Sequence, residues 1–221
     1  DEVIVSNALG AGGNPARLVA LASGLPEHIA GLSIDRQCCG GLDALGIAQA
    51  LIQSGQANAV ITGGVESYSQ RPLRLKSDHG AAPSIVYDQP PFAPKADQDP
   101  DMAEAADRIA HKFDISRREQ DEWAMRSHRL ALQAREYLDQ EIVPMASVEK
   151  SHDSYARHLS PQICQRAPVI FGSITHGNSA VAADAAAFCL VVSDGIAREL
   201  NQQGLEIVKS VTQGADPALP A

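Results

Sequence analysis

Residues 2–64 alternate between apolar runs that are typical of buried strands and segments that are typical of helices. Three strands and two helices are predicted in alternation, at residues 2–9, 14–24, 29–35, 38–54 and 57–64. Asn14 is a suitable N-cap and Pro15 a suitable first helical residue, while Gly24 and Gly55 end the two helices. Strands connected through helices in this way pair in parallel, with right-handed crossovers. The stretch therefore predicts an α/β fold with a parallel sheet.

The apolar residues also predict which faces of these elements are buried. The helix at 38–54 carries one apolar stripe, formed by Leu42, Leu45, Ala48 and Ile52. Residues 185–192, AAAFCLVV, form a continuous apolar run, which is typical of a strand covered on both faces. A helix at 195–204 and a further strand at 205–214 are predicted after it, so the α/β pattern returns near the end of the chain.

The pattern is different between these two α/β stretches. Six prolines within residues 71–100 predict a long irregular loop. Two helices are then predicted at 102–113 and 116–138, the second with a capping box formed by Ser116 and Glu119. The sequence thus predicts an α/β core interrupted by an inserted, mainly helical domain, with the core at residues 1–70 and 178–221 and the insertion at 71–177.

Composition and charge exclude several classes of function. The chain has 221 residues, a net charge of −9 and no cluster of five Lys or Arg residues, so we expect no nucleic acid and no membrane surface among its partners. No apolar run reaches the length of a membrane span. The four cysteines form no disulfide framework and no metal-binding spacing, so we expect no metal and a cytoplasmic location.

Two adjacent cysteines, Cys38 and Cys39, stand where a predicted strand ends and a helix begins. The start of a helix lowers the pKa of a thiol and binds anions, which favours a nucleophile at Cys38. Gly40 and Gly41 leave space for a substrate to approach the backbone. A small packing residue is the other interpretation of Cys38, and it is the one that we favour for Cys39.

Four segments, in the same order along the chain, resemble the thiolases. The first is NALGAGGNPARLVAL, and the second is IDRQCCGGLDAL followed by ITGGVESYS. The third is ISRREQDEWAMRSHRLA, and the fourth is HGNSAVAADAAA. The resemblance covers nearly the whole chain and implies a thiolase-like layered α/β/α core with an inserted loop domain.

The resemblance also implies site residues. Cys38 matches the cysteine that an acyl-CoA acylates. Met102 matches a methionine near the pantetheine, and Arg157 an arginine near the adenine and phosphate end of coenzyme A. The segment that lines the pantetheine tunnel is matched by His176, Gly177, Asn178, Ser179 and Ala180. Two positions depart from the family, since Asp101 stands in place of a histidine and Ala180 in place of a frequent serine.

The implied activity is acyl transfer between a CoA thioester and a cysteine nucleophile, by Claisen condensation or by thiolysis of a 3-ketoacyl-CoA. Coenzyme A is then a substrate, no cofactor is bound covalently, and the assembly is a homodimer or homotetramer. The family's C-terminal half supplies "NEAF", "GHP" and "CGG" segments, none of which occurs here in its place. We therefore expect an incomplete thiolase chain, which stops where VTQGADPALPA resembles the link between the family's halves and lacks the first strand and helix.

Two alternatives stay open at this point. The absent acid and base segments and Ala180 are compatible with a catalytically incomplete CoA-binding or assembly subunit. A ketoacyl-synthase relative also begins its chemistry from a cysteine at a helix start, although GVESYS and GNSA favour a thiolase.

Overall fold

The computed structural model describes residues 1–77, 85–145, 153–200 and 204. Among them, those of Asp1–Gln89 and Ala182–Gln213 form one compact unit, and those of Pro90–Val181 form a second. The domain limits predicted from the sequence stay a prediction. No helix in the described part of the chain is long and apolar enough to cross a membrane.

The first unit contains an α/β sheet. Its elements in chain order are β1 (Glu2–Ser6), α1 (Pro15–Ala22), β2 (Ala30–Ile34), α2 (Gly40–Gln53), β3 (Ala59–Glu66), β4 (Arg74–Lys76) and β5 (Ile85–Tyr87). Four strands of this unit form one sheet in the order β2-β1-β3-β8, where β8 is Ala185–Val192. Strand β1 pairs in parallel with β2 and with β3, as the sequence predicts, whereas β8 pairs antiparallel with β3. The short strands β4 and β5 form a separate antiparallel hairpin within the segment predicted to be irregular.

Helices cover both faces of the sheet, because successive side chains of a strand point to opposite faces. Ile4 is fully buried in a cluster with α2 residues such as Ala44 and Ala48. Its neighbours Val3 and Val5 are buried in a second cluster, with Ala16 and Ala20 of α1. Complete burial of one such aliphatic side chain contributes about 1.5–3 kcal/mol. The layered α/β/α architecture is therefore confirmed.

The buried face of α2 differs from the predicted stripe. Leu42 is 74% exposed, and Leu45 and Ile52 are only partly buried. The face against the sheet carries smaller or polar residues instead, namely Gly40, Asp43, Ala44, Ala48 and Gln49. Small residues allow the helix axis to approach the sheet closely, so the large apolar residues are displaced to the sides of the helix.

Strand β8 has the predicted limits but not the predicted burial. Its first six residues are exposed, including Phe188 and Leu190. Only Val191 and Val192 are partly buried, and Val191 packs on the cluster beneath α2. The prediction that both faces of β8 are covered is wrong for the described residues, because the cluster beneath α2 reaches only the end of this strand. Helix α7 (Asp194–Leu200) follows as predicted, and the strand predicted at 205–214 lies outside the described residues.

The second unit is mainly helical. Its elements are α3 (Met102–Lys112), α4 (Arg117–Gln133), α5 (Arg135–Leu138), α6 (Pro161–Arg166), β6 (Val169–Phe171) and β7 (Ile174–Thr175). The capping box of α4 is confirmed, since the Ser116 N–H donates to Glu119 Oε2 at 2.8 Å and the Glu119 N–H donates to Ser116 Oγ at 3.3 Å. Strands β6 and β7 form a small antiparallel pair.

Candidate active site

Cys38 lies on a tight turn that connects the end of β2 to α2. The turn is a 3₁₀ helix over Gln37–Cys39, and its Cys39 N–H donates to the Arg36 carbonyl at 3.1 Å. The predicted helix start at Cys38 is therefore corrected, because α2 itself begins at Gly40. Cys38 and Cys39 are both free thiols, and both are exposed. Exposure of Cys39 is not what a packing residue shows, so that interpretation of Cys39 is wrong for the described chain.

The backbone of this turn is unusual at Gln37. Its φ of 48° is in the left-handed region, which a residue with a Cβ atom rarely adopts. The Gln37 N–H donates to Asp35 Oδ1 at 2.8 Å, an arrangement that stabilises the turn locally. Cys38 thus follows directly after a residue whose conformation the surrounding structure must enforce.

The two glycines after the cysteines have different roles. A Cβ atom on Gly40 would lie 1.9 Å from Ser6 Oγ and 2.8 Å from Ser6 Cβ, at the carboxyl end of β1. A Cβ atom on Gly41 would meet nothing within 4 Å. Gly40 is therefore required by the packing of α2 on the sheet, and only Gly41 faces the open space that the sequence suggested for a substrate.

An ion pair beside Cys38 was not predicted from the sequence. Arg36 Nε donates to Oδ2 of Asp43, which is on the first turn of α2. Asp43 is buried, whereas Arg36 is mostly exposed. An aspartate inside a helical pattern is normally read as solvent-exposed, and the expected stripe of leucines concealed the face on which Asp43 lies.

Glu66, at the end of β3, stabilises the segment that follows β1. Its carboxylate accepts hydrogen bonds from the N–H groups of Ala8 and Leu9, the latter at 3.2 Å. Asn7 Nδ2 donates to the Val65 carbonyl at 2.8 Å, and Arg74 donates to the Ala8 carbonyl at 2.9 Å. Glu66 therefore has a structural role at the end of β3.

Asp184 lies just before β8 and has a similar structural role. Its Oδ1 accepts the Ser69 N–H at 2.8 Å, and its Oδ2 accepts the Ser69 hydroxyl. These hydrogen bonds from the Ser69 side chain and backbone hold the pKa of Asp184 below its usual value.

The second unit contains a cleft of about 260 Å³ that four of the predicted residues line. These residues are Gly177, Asn178, Ser179 and Ala180. The opposite wall comes from α4, which contributes Trp123 and His128 among others. His176 is exposed and is not part of the lining, and its N–H donates to the Pro168 carbonyl at 3.1 Å.

The side chain of Asn178 is fully engaged within its own unit. Its Oδ1 accepts the Thr175 N–H at 2.7 Å. Its Nδ2 lies within hydrogen-bonding distance of Gln120 Oε1 (3.3 Å), Asp121 Oδ1 (3.2 Å) and the Ser173 carbonyl (3.2 Å). Asn178 therefore connects α4 to the segment around β7, and its amide is occupied by contacts within the fold.

Asp107 of α3 adds to the polar contacts of the same segment. Its Oδ1 accepts hydrogen bonds from Ser173 N–H at 2.8 Å and Ser173 Oγ at 2.7 Å. These bonds, the backbone one first, hold the pKa of Asp107 below its usual value. Gly172 has a φ of 52°, and a Cβ atom there would overlap the Asp107 carboxylate. The tight turn before β7 therefore depends on both residues.

Arg157 lies beside the cleft, in contact with two aromatic rings. Its N–H donates to His128 Nδ1 at 3.3 Å, and its guanidinium lies 4.5 Å from the centre of the Tyr155 ring. The Tyr155 hydroxyl donates to the Ser179 carbonyl at 3.1 Å. Burial, together with the positive charge of Arg157, holds the pKa of His128 below its usual value, so His128 is neutral at pH 7.

Arg157 also lines a second, basic cleft of about 420 Å³. The cationic and potentially cationic residues of this lining are Arg126, Arg129, Arg157 and His158. The one carboxylate in the lining, Glu122, already accepts a hydrogen bond from Arg118 at 2.7 Å. The cleft therefore has the charge that an anionic ligand requires.

Met102 is the first residue of α3, and it is half-exposed rather than part of a core. Neither cleft has it in its lining. Asp101, where the resemblance has a histidine, is the N-cap of α3, and its Oδ1 accepts the Ala103 N–H at 2.9 Å. Asp101 thus stabilises the helix start. Cys38 belongs to the first unit and the other seven predicted site residues to the second, and the described residues contain no group of three potential metal ligands.

Comparisons with known proteins identify a family. The family model for the N-terminal domain of thiolases matches residues 1–195. A protein of Staphylococcus epidermidis (strain ATCC 12228 / FDA PCI 1200) with the curated name "Putative acetyl-CoA C-acetyltransferase VraB" is 38% identical, and the match covers 98% of this chain and 59% of that protein. The protein of the same name in Staphylococcus aureus (strain MSSA476) is 36% identical, with 100% and 61% covered. The chain thus spans about three fifths of the length of these relatives.

Two solved structures are similar in fold. The acetyl-CoA acetyltransferase of Bacillus anthracis has a TM-score of 0.81 and 32% identity, over 93% of this chain and 57% of that one. The Acat5 thiolase of Ascaris suum, solved in complex with coenzyme A, has a TM-score of 0.79 and 25% identity, over 91% and 56%.

Proposed function

The chain belongs to the thiolase family, and from that premise we propose that Cys38 accepts an acyl group from a CoA thioester. The observation that carries this proposal is the placement of an exposed thiol on the turn before α2, at the carboxyl edge of parallel strands. That edge is where α/β folds bind their ligands.

The chemistry is acyl transfer in two steps. The Cys38 thiolate attacks the carbonyl carbon of the thioester, the carbon–sulfur bond to CoA breaks, and CoA leaves as a thiol after taking up a proton. The acyl group on Cys38 then passes to a second acceptor. In condensation, the acceptor is the α-carbon of acetyl-CoA, which has first lost a proton. In thiolysis Cys38 attacks the 3-keto carbonyl of a 3-ketoacyl-CoA, the bond between C2 and C3 breaks, and acetyl-CoA leaves after its α-carbon takes up a proton. The thiol of CoA then accepts the acyl group from Cys38 and releases its own proton.

The second unit supplies groups suited to coenzyme A. Its basic cleft, with Arg126, Arg129 and Arg157, has the charge to bind the phosphate groups. Its other cleft is lined by the small residues Gly177, Ser179 and Ala180 and by Trp123, a mixture that suits the amide and alkyl groups of pantetheine. We propose that these two clefts bind coenzyme A. Met102 and His176 are further candidates, which come from the resemblance. An assembly into dimers or tetramers, a cytoplasmic location and a place in fatty acid metabolism remain part of the proposal.

Intact mass measurement after incubation with acetyl-CoA tests the nucleophile. We expect a mass gain of one acetyl group, located on Cys38 by peptide mapping and absent in the Cys38→Ser variant. Cys39→Ser is the matched control, since it removes the neighbouring exposed thiol and should leave the acetylation of Cys38 in place. Acetylation of Cys39 instead, or of neither cysteine, would contradict the proposal.

A CoA-binding subunit without catalysis is the second candidate function. The use of Asp101 as a helix cap, at the position where the family has a histidine, favours this alternative. Binding of coenzyme A in calorimetry without any acetylation of Cys38 would select it. Acylation of Cys38 from acyl carrier protein but not from CoA would instead select a ketoacyl-synthase relative.

A further inference from the structure

An ion pair connects the segment before Cys38 to the first turn of α2. The exposed fractions of its two side chains differ widely, at 61% for Arg36 and 9% for Asp43. A carboxylate buried to this degree is stable in its charged form only with a partner. Asp43 is held by the helix, whereas Arg36 lies on the connecting segment. The pair therefore fixes the segment to the helix.

Gln37, the residue between Arg36 and Cys38, is in the left-handed conformation with a φ of 48°. A non-glycine residue keeps such a conformation only when its surroundings enforce it. Two contacts do so here. Asp35 Oδ1 accepts the Gln37 N–H at 2.8 Å, and the pair of Arg36 with Asp43 connects the residue before Gln37 to α2.

We propose that Arg36 and Asp43 are positioning residues that fix the direction in which the Cys38 thiol leaves the turn. This inference rests on the proposed acyl transfer at Cys38. The pair acts through geometry, because its two opposite charges neutralise each other beside the thiol. Attack on a thioester requires the sulfur and the carbonyl carbon to meet in one orientation, whereas alkylation by a small reagent such as iodoacetamide requires none.

The test compares these two reactions in Asp43→Asn, in Arg36→Gln and in the double variant, by peptide mass measurement at Cys38. We expect the rate of acetylation by acetyl-CoA to fall by about 10- to 100-fold in each variant. Alkylation by iodoacetamide should keep its rate in the double variant, which removes both charges together. The double variant should be no slower than the slower single variant, because both remove the same pair. Glu104→Gln is the matched control, since it removes a carboxylate from the more exposed ion pair with Arg108.

Hydrogen exchange of the Gln37 and Cys39 amides provides a readout that does not depend on activity. We expect faster exchange of both amides in Asp43→Asn and unchanged exchange in Glu104→Gln. Wild-type rates of acetylation in Asp43→Asn would overturn the proposal. A joint change of acetylation and alkylation in the double variant would also overturn it, because that result indicates general loosening of the fold. If wild-type Cys38 is alkylated but never acetylated, the proposed function fails, and unchanged exchange in Asp43→Asn would then overturn the positioning role as well.

Discussion

The turn that carries Cys38 rests on an apolar core, whereas the segment that carries Asn178 is held by polar side chains. Beneath the turn, Ile4 and Val60 are fully buried in a cluster of aliphatic residues. Around Asn178, contacts come from amides, a carboxylate and backbone groups of α4 and the β7 region. Both segments contain predicted site residues, yet different forces fix them in place.

The two segments are held in a defined geometry by different interactions. Apolar packing has no preferred direction, so the Cys38 turn needs additional directional devices, namely Gly40, the strained Gln37 and the ion pair of Arg36. Hydrogen bonds are directional, so the polar network itself gives direction to the Asn178 segment, together with the left-handed Gly172 before β7. We therefore expect the two units to respond differently to volume changes, to the loss of polar groups and to pH.

The largest expected effect is the loss of the Asn178 amide. Asn178→Ala leaves the Thr175 N–H without the Asn178 acceptor and removes one contact each from the side chains of Gln120 and Asp121, so we expect a loss of about 2–3 kcal/mol in the free energy of unfolding. Denaturant unfolding followed by Trp123 fluorescence measures it in the second unit. His176→Ala, an exposed residue on the same segment, is the control and should change stability by less than about 0.5 kcal/mol. Equal effects of the two variants would contradict the comparison.

An intermediate effect is expected at the two glycines of the first unit. Gly40→Ala places a Cβ atom against Ser6, so we expect a destabilisation of about 1–3 kcal/mol. Gly41→Ala is the matched variant on the same helical turn, and open space there should let alanine stabilise α2 by about 0.5–1 kcal/mol. Melting temperatures of the two variants on either side of the wild-type value would support the comparison, and two shifts of the same sign would break it.

The smallest effect concerns pH and the second unit. The pKa of His128 is lower in the folded protein than its usual value of about 6.5, so the unfolded chain binds a proton first as the pH falls. The contribution of His128 to stability is thus complete above pH 6.5 and is lost below it. His128→Asn keeps an acceptor for the Arg157 N–H and should flatten the dependence of the melting temperature on pH between 7 and 5. His28→Asn, at an exposed position of the first unit, should leave the dependence as it is.

The sequence predicts the periodic part of this molecule well. Alternating apolar runs locate the strands of the sheet, and Asn14 is confirmed as the cap of α1, with its Oδ1 accepting the Arg17 N–H at 3.1 Å. The buried face of α2 is predicted only in part, at Ala48, because close approach of helix and sheet selects small residues over leucines. Asp43 also lies on that face, and a pattern of apolar residues does not indicate a buried aspartate.

The second unit is harder to predict, for a different physical reason. Asn178 contacts Gln120 and Asp121, more than fifty residues earlier in the chain, and such contacts leave no periodic signal. The segment 177–180, which the resemblance matches to the wall of the pantetheine tunnel, lines a cleft in the structure, and its role in binding stays a prediction. The resemblance does not indicate that the Asn178 amide is engaged in hydrogen bonds within the fold, because those bonds depend on where α4 and β7 lie in space. The roles of Cys38, Met102 and Arg157 in catalysis or binding stay predictions.

The position of β1 within the sheet has a consequence for synthesis on the ribosome. Although β1 is the earliest strand of the described chain, it lies inside the sheet, between β2 and β3. Strand β3 ends at Glu66. At about 5–20 residues per second, roughly 3–12 s separate the synthesis of Ser6 from that of Glu66. The far edge of β3 then waits roughly 6–24 s more for Ala185, the start of β8. A nascent chain therefore carries open strand edges for many seconds, a period in which chaperones that bind extended apolar segments compete with aggregation.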